Sequence, residues 1–436
     1  MRPARLALVL LGLAPIAAQT GCGDDAEESM TVWVYEEASS PGDADRPLGG
    51  AKVAVDAPGS ARVVLETGVD GRVTFSARFG DGGAHVSAVT PDHALYTFMD
   101  VTPGRVAARP NTFGKPGGDL VIVLPRLDRA LTASSIEVRG AIVGKGNPDD
   151  GVNVSASGLR RLGAVDTTDA SYALRGPKAR PFFLLGRESA PFTDDGSTAV
   201  EPLIKAFRLD VPGRADDVNL DLDLRTVSTV PTHPLHLRAV LPSASTLGSG
   251  IRGSAAVLSM ESRLLVGAFR KTAPSADKAA LELEVDIAET DLGGEHPFTR
   301  AILLGPDGAQ SVRAELGVVP DRTTWADFAA PPLAAAPRTI ADPIDLVGVP
   351  DDADLEIQVG GGGKTFWIVE QAAGSPRGGA IRLPPLFDRS FGVVIPEPVL
   401  LFSVKLVIKQ DRVAVPPHGE LYRRVASSRE FVVARR

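Results

Sequence analysis

Val359-Gly-Gly-Gly-Gly-Lys-Thr365 is the stretch nearest in form to a nucleotide site, because glycine-rich turns ahead of Lys-Thr wrap phosphate oxygens in backbone N–H groups. A phosphate loop also needs a glycine six residues before the lysine, where Gln358 stands, and a helix after it. Phe366-Trp-Ile-Val369 reads instead as a strand, so the stretch predicts a hairpin. His233 and His236 lie three apart between prolines, on opposite sides of any strand, and should not share a metal. His85, His93, His296 and His418 are expected in turns or on the surface. Acidic loops occur at Asp43 with Asp45, Asp149-Asp150, Asp194-Asp195, Asp216-Asp217, and Asp351-Asp352 with Asp354. Calcium takes six to eight oxygens, but none of these loops has the twelve-residue spacing of a dedicated site, and solvated turns are the expectation. No Gly-x-Ser-x-Gly elbow or Ser-x-x-Lys set is present, so no residue is assigned to catalysis, cofactor or metal. Aromatic residues make up 5%, too few for a broad sugar platform, and Trp33, Trp325 and Trp367 sit in apolar runs that assign them to cores.

The elements that would carry any site are strands. Gly 45 and Pro 35 in 436 residues punctuate many short alternating apolar runs, the pattern of antiparallel sandwiches, so the fold class expected is all-β. A chain this long needs several cores, and a single cysteine leaves no disulfide to staple any of them. Strands are expected at Thr31–Tyr35, Ala51–Asp56, Ala61–Thr67, Arg72–Ala77, Ala84–Thr90, Leu95–Val101 and Asp119–Leu124. Seven strands in about 95 residues is the count of an immunoglobulin-like sandwich. Asp70-Gly71 between the third and fourth suits a tight hairpin with positive φ.

The second unit repeats the first at an offset of 99. Val53 falls on Val152, Val55 on Val154, Gly59 on Gly158, Asp70 on Asp169, Val73 on Tyr172, Phe75 on Leu174 and Val86 on Leu185. Apolar positions keep a spacing of two, so both copies should present the same in-out phase. Further strands are expected at Leu235–Val240, Ala255–Met260, Arg263–Phe269, Leu281–Ile287, Thr299–Leu304 and Ser311–Val319. Asp321–Phe328 is read as packing back on that third unit, and the Pro/Ala-rich run Ala329–Pro337 as a semi-rigid linker.

Leu48-Gly-Gly-Ala-Lys-Val-Ala-Val55 followed by Thr67-Gly-Val-Asp-Gly-Arg-Val-Thr-Phe75 resembles the carboxypeptidase regulatory-like domains, small sandwiches of transthyretin-like fold. The match runs from Thr31 to Leu124 and, more weakly, from Ile136 to Leu224, where Ala170 replaces the turn glycine; beyond Leu224 it fades. The resemblance implies an accessory or spacer domain. Leu-x-Ile-x-Val at 355–359 with a Trp strand after it is loosely similar to a fibronectin type III module.

Arg2 and Arg5 precede an apolar run, Leu6–Ala18, too short to span a bilayer, which marks a secretory signal peptide. Its end, Thr20-Gly21-Cys22, resembles the lipobox of bacterial lipoproteins, although Gln19 departs from the usual leucine. That resemblance implies a membrane anchor through lipid on Cys22, followed by an acidic tether. Removing Arg2 and Arg5 leaves 44 basic against 54 acidic residues, a net charge of −10 that argues against nucleic-acid partners.

The organisation expected is thus a signal peptide at 1–21, a tether at 22–30, sandwiches at 31–127, 134–225 and 231–328, and a fibronectin-like sandwich at 338–436. The function expected is a non-enzymatic, lipid-anchored protein of the bacterial cell envelope, periplasmic or surface side. It would act as a binding or spacer module toward an envelope protein or polymer, with strand-end loops Gly80–Ala84 and Thr193–Thr198 as contact candidates. The alternative is a hydrolase of envelope polymer or peptide, with its site in the C-terminal half.

Overall fold

The computed structural model describes residues 27–36, 46–80, 82–108, 118–127, 135–159, 164–167, 170–191, 193–194, 199–200, 203–241, 247, 250–262, 264–269, 279–361, 364–375, 377–384, 401–415 and 419–434. The signal segment, Cys22, Asp43, Asp45, Asp169, Asp195 and His418 lie outside them. Among the described residues the fold is all-β, with one short helix, α1 (Pro103–Ala108).

The first sandwich holds β1 (Glu28–Glu36), β2 (Arg46–Pro47), β3 (Lys52–Asp56), β4 (Val63–Glu66), β5 (Arg72–Ala77), β6 (Ala84–Val89), β7 (Leu95–Val101) and β8 (Leu120–Leu124). One sheet sets β1 between antiparallel β5 and parallel β8; the other runs β4-β3-β6-β7. Alternation puts Val32 and Val34, Val53 and Val55, Phe75, Val86 and Ile122 into the core between them.

The second contains β9 (Ser135–Val143), β10 (Gly151–Ala156), β11 (Ala164–Thr167), β12 (Ser171–Pro177), β13 (Phe182–Ser189), β14 (Thr193–Asp194), β15 (Ala199–Val200), β16 (Leu203–Val211), β17 (Val218–Asn219) and β18 (Leu222–Asp223). Its sheets copy the first: β9 lies between antiparallel β12 and parallel β17 and β18, and the partner sheet runs β11-β10-β13-β16. The hydrogen bond from Val34 N to Gly71 O (2.8 Å) recurs as Ile142 N to Ala170 O (2.7 Å), so the offset of 99 holds at that turn. It slips by one residue at β13. Val55 opposes Val86, whereas Val154 opposes Gly186, so Leu185 points out of the second core rather than into it.

The third comprises β19 (Thr232–Val240), β20 (Arg252–Ser259), β21 (Gly267–Phe269), β22 (Ala280–Ala288), β23 (Pro297–Leu304), β24 (Gln310–Leu316) and β25 (Thr323–Trp325). The sequence likeness fades here, but the connectivity does not. β19 again sits between an antiparallel strand, β22, and a parallel one, β25, and faces β20-β23-β24. Only β21 departs, pairing with β22. Trp325 and Phe328 close this core, as the packing-back of Asp321–Phe328 requires.

The fourth adds β26 (Leu333–Ala335), β27 (Ile344–Val347), β28 (Asp354–Gly361), β29 (Lys364–Gln371), β30 (Ala380–Ile381), β31 (Leu401–Val415), β32 (Gly419–Ser427) and β33 (Phe431–Ala434). β26-β27-β30 faces a sheet built on β29-β28-β31, with β33 also on β31. Ala329–Pro337 is therefore not a linker. Leu333–Ala335 pairs with β27, and Ala329 is buried in the fourth core because its small side chain fits under the sheet. Asp70-Gly71 is a tight turn with Gly71 at φ 72°, yet not a hairpin, since β4 pairs with β3 and β5 with β1 in the opposite sheet.

Two sandwiches never stand alone. β7 pairs in parallel with β29, and β24 pairs with β32, so one twelve-stranded sheet runs β20-β23-β24-β32-β31-β28-β29-β7-β6-β3-β4, with β33 attached to β31. The outward residues of the first sandwich, Ala54, Val89, Leu95 and Met99, belong to the same core as Trp367 and Phe402 of the fourth. Phe183, Leu185 and Ala206 of the second likewise complete the core of the third. Large side chains buried this way contribute about 1.5–3 kcal/mol each, enough to hold neighbouring sandwiches together.

Candidate functional site

Buried polar side chains cross both of these seams. Along the first–fourth seam, Trp367 Nε1 donates to Thr97 Oγ1 (3.1 Å), which is hydrogen-bonded to Ser87 Oγ (2.9 Å). Parallel pairing of Trp367 with Leu95 and Val369 with Thr97 sets this up, because it turns Thr97 toward the fourth core. Thr97 is fully buried, so its hydroxyl needs both partners. Tyr96 donates to the buried carboxylate of Glu370, and Gln371 Nε2 donates to Asp100 Oδ2 (2.5 Å). Asp100 itself holds φ at 55°, a strained setting for a residue with a Cβ, while its carbonyl takes Arg105 Nη1 at 2.6 Å.

Across the second–third seam, Glu295 Oε1 accepts Gly158 N (2.9 Å) and its other oxygen accepts the Ser262 hydroxyl, which also meets Ser259 Oγ at 2.8 Å. The sequence holds a histidine next to this pair, but His296 Nδ1 lies 2.6 Å from Glu261 Oε1 and not at the serine. The hydroxyl thus donates straight to a carboxylate, with no imidazole set between them. Arg208 spans the same seam: its guanidinium lies 4.0 Å from the centre of the Phe183 ring, and Nη1 donates to Thr290 Oγ1 at 2.9 Å.

A buried charge group closes one end of the first sandwich. Glu36 takes Arg126 Nη1 at 3.0 Å and also binds Arg46. Burial pushes its carboxyl up, but the hydrogen bonds from Arg126 and Arg46 outweigh this and hold it below its ordinary 4.5. His93, expected in a turn or on the surface, closes the turn from Thr90 and is 4% exposed beside this group. Its Nδ1 meets Thr90 Oγ1 at 2.5 Å, and burial lowers its pKa against the pull of Glu36. His233 and His236 go to separate carboxylates, Glu289 at 3.1 Å and Asp321 at 2.9 Å.

The acidic loops are used as backbone and side-chain acceptors. Asp150 Oδ2 takes Asn147 N (2.6 Å) and Asp217 Oδ1 takes Glu137 N (2.8 Å). At 351–354 a cation is already present: the Arg377 guanidinium binds the carbonyls of Pro350 and Ala353, and burial lowers its pKa against the opposing pull of Asp351, Asp354 and Asp352. Asp354 meanwhile accepts Tyr422 Oη at 2.9 Å and Ala373 N at 2.8 Å. Among the described residues no group of three or more His, Cys, Asp or Glu is placed to hold a metal, and no helix is long and apolar enough to cross a membrane.

On either side of the glycine-rich stretch β28 and β29 pair antiparallel up to Gly361 opposite Lys364, with a bulge at Val359/Gly360; 362–363 lie outside the described residues. Gly360 is required there, since a Cβ would stand 2.6 Å from the Lys364 carbonyl oxygen. Trp325 and Trp367 are core residues, but Trp33 lies half-buried on the outer face of the first sheet, its Nε1 donating to Asp119 at 2.8 Å. In the loop candidates, Gly80 and Gly83 take positive φ, and Thr193-Asp194 pairs with Ala199-Val200; Asp81 and 195–198 lie outside the described residues. Thr97, Glu295, Arg208 and Glu370 carried no motif, and only the topology assigns them a role.

No family model matches the chain, and no curated protein matches it. Among solved structures, the minor pilin of Streptococcus agalactiae aligns at 15% identity, covering 47% of this chain and 97% of its own, with a TM-score of 0.15. A shaft pilin of Lactobacillus rhamnosus aligns at 12% identity over 48% and 99%, TM-score 0.16. A DUF3823 family protein of Parabacteroides merdae aligns at 11% over 40% and 92%, TM-score 0.13. Superpositions this loose leave the fold class resting on the strand pairing within the chain itself.

Proposed function

We propose that this chain is a non-enzymatic, lipid-anchored protein of the bacterial cell envelope that acts as a binding or spacer module, with units at 31–127, 134–225 and 231–328 and a fourth that begins at Ala329 instead of 338 and runs to 436. One observation carries the reading: Glu295, Glu370, Thr97 and Arg208, whose chemistry would suit a reactive site, are each spent on bolting one sandwich to the next. A body braced at the first–fourth and second–third seams suits a rigid support. The leader Met1–Gly21 and the thiol of Cys22 supply the attachment, and the lipid would insert where one acyl chain alone binds only weakly and several bind firmly.

Replacing Cys22 with Ala tests the attachment. The variant is expected to move from the membrane fraction to the soluble fraction while its melting temperature stays that of the parent. Membrane retention equal to the parent's would overturn the anchor.

A further inference from the structure

β4 ends the twelve-stranded sheet, and among the described residues it pairs only with β3. Thr67 N donates to Ala51 O on the same side of the chain, and main-chain groups alternate along a strand. Val63 and Leu65 therefore bond inward to β3, while Val64 and Glu66 turn their N–H and C=O groups to the open edge. The side chains are apolar on both faces: Val63 is 44% exposed and Val64 40% exposed. Natural edges are guarded by short length, charge, proline or a bulge; Val63-Val-Leu-Glu66 is short and ends in one charge, Glu66, but has no lysine, proline or bulge.

We infer that this edge pairs with the same edge of a second copy of the chain, antiparallel about a two-fold axis through Val64. The charges choose both the occupant and the register. With the axis at Val64, Val63 opposes Leu65 and Arg62 opposes Glu66, so the interface holds two Val63–Leu65 contacts and two opposite-charge pairs in all. An axis at Val63 would set Arg62 against Val64, and one at Leu65 would set Glu66 against Val64. The axis at Val64 also makes that residue a hydrogen-bonded pair with its own copy, which its outward N–H and C=O permit. Asp56, 2.6 Å from Arg62 Nε, orients the guanidinium on the same face. The strand is four residues long, so the association is weak and concentration-dependent.

The test is light scattering on the full chain over a dilution series, with Val64→Lys and Val64→Glu variants. The parent is expected to show a monomer–dimer equilibrium. Either variant alone sets like charges on the axis and weakens dimerisation about tenfold or more, and an equimolar mixture of the two restores it. Unchanged melting temperatures, expected because Val64 is exposed, show that both variants fold. A parent that stays monomeric throughout, or variants that dimerise as the parent does, would overturn the inference. A mixture no better than either variant alone would overturn the two-fold register.

Discussion

The first and second sandwiches share one topology, yet each buries its outward sheet face against a different neighbour. In the first, β7 meets β29 edge to edge, and Leu95 and Met99 enter the core of the fourth. In the second, among the described residues no strand of another sandwich pairs with β16: β13 lays Phe183 and Leu185 face-on into the core of the third. The open edge of β16 is covered instead by the connecting segment, with Val230 N donating to Ala206 O at 3.0 Å. The same fold has thus been joined once along its edge and once across its face. Both solutions make a sheet with two buried faces, so core boundaries do not follow the order of the chain.

Large-to-small substitutions at the two seams sharpen the contrast most. Trp367→Ala is expected to cost about 3–5 kcal/mol and Leu185→Ala about 2–5 kcal/mol, read from denaturant unfolding followed by hydrogen exchange. Trp367→Ala should loosen β6 and β7 together with β28, whereas Leu185→Ala should loosen β20 and β22 and leave β7 protected. A Leu185→Ala variant that disturbed only β10 and β16 would return Leu185 to the second core.

The turn positions of the two copies come next. Gly71 holds φ at 72° with its missing Cβ 2.5 Å from the Val34 carbonyl oxygen, while Ala170 fills the equivalent place. Gly71→Ala should therefore destabilise by about 1–3 kcal/mol and Ala170→Gly by about 0.5–1 kcal/mol, compared by thermal unfolding.

Titration gives the smallest and most diagnostic difference. His93 and Glu36 both have folded pKa values below their ordinary 6.5 and 4.5, so the unfolded chain binds protons first. Their stabilisation is complete above pH 6.5, and falls as acid titrates first His93 and then Glu36. Tyr172 in the second copy is buried, donates to Leu220 O at 2.7 Å, and is pushed up from 10.0 by burial and by Asp221. Its contribution is complete below pH 10 and lost as alkali ionises the unfolded chain first. Hydrogen exchange across pH should show acid loosening β1 and β7 first, and alkali loosening β9 and β12 first.

Much of this was legible in the sequence where one face of a strand is wet. Thr31–Tyr35 and Arg72–Ala77 alternate cleanly, and β1 and β5 stand there. The seams were harder because burial on both faces erases alternation: Phe182-Phe-Leu-Leu185 reads as one apolar run, and nothing local says which residue serves which core. The gapless offset therefore assigned Leu185 to the wrong side. The third copy stayed hidden because its likeness lies in strand order and not in an Asp-Gly turn. The turn at His93 was legible but its burial was not, because a lone histidine beside a turn carries no sign of the Glu36 and Arg126 side chains that later surround it.

The central claim is that neighbouring sandwiches share cores and do not fold as independent units. Native-state hydrogen exchange on Trp367→Ala tests it most directly, read at β3 and β6, which Trp367 precedes by neither sequence nor hairpin. Protection there should fall in step with protection in β28. Full protection of β3 and β6 while β28 loosens would show a first sandwich that stands alone, and the claim would fail.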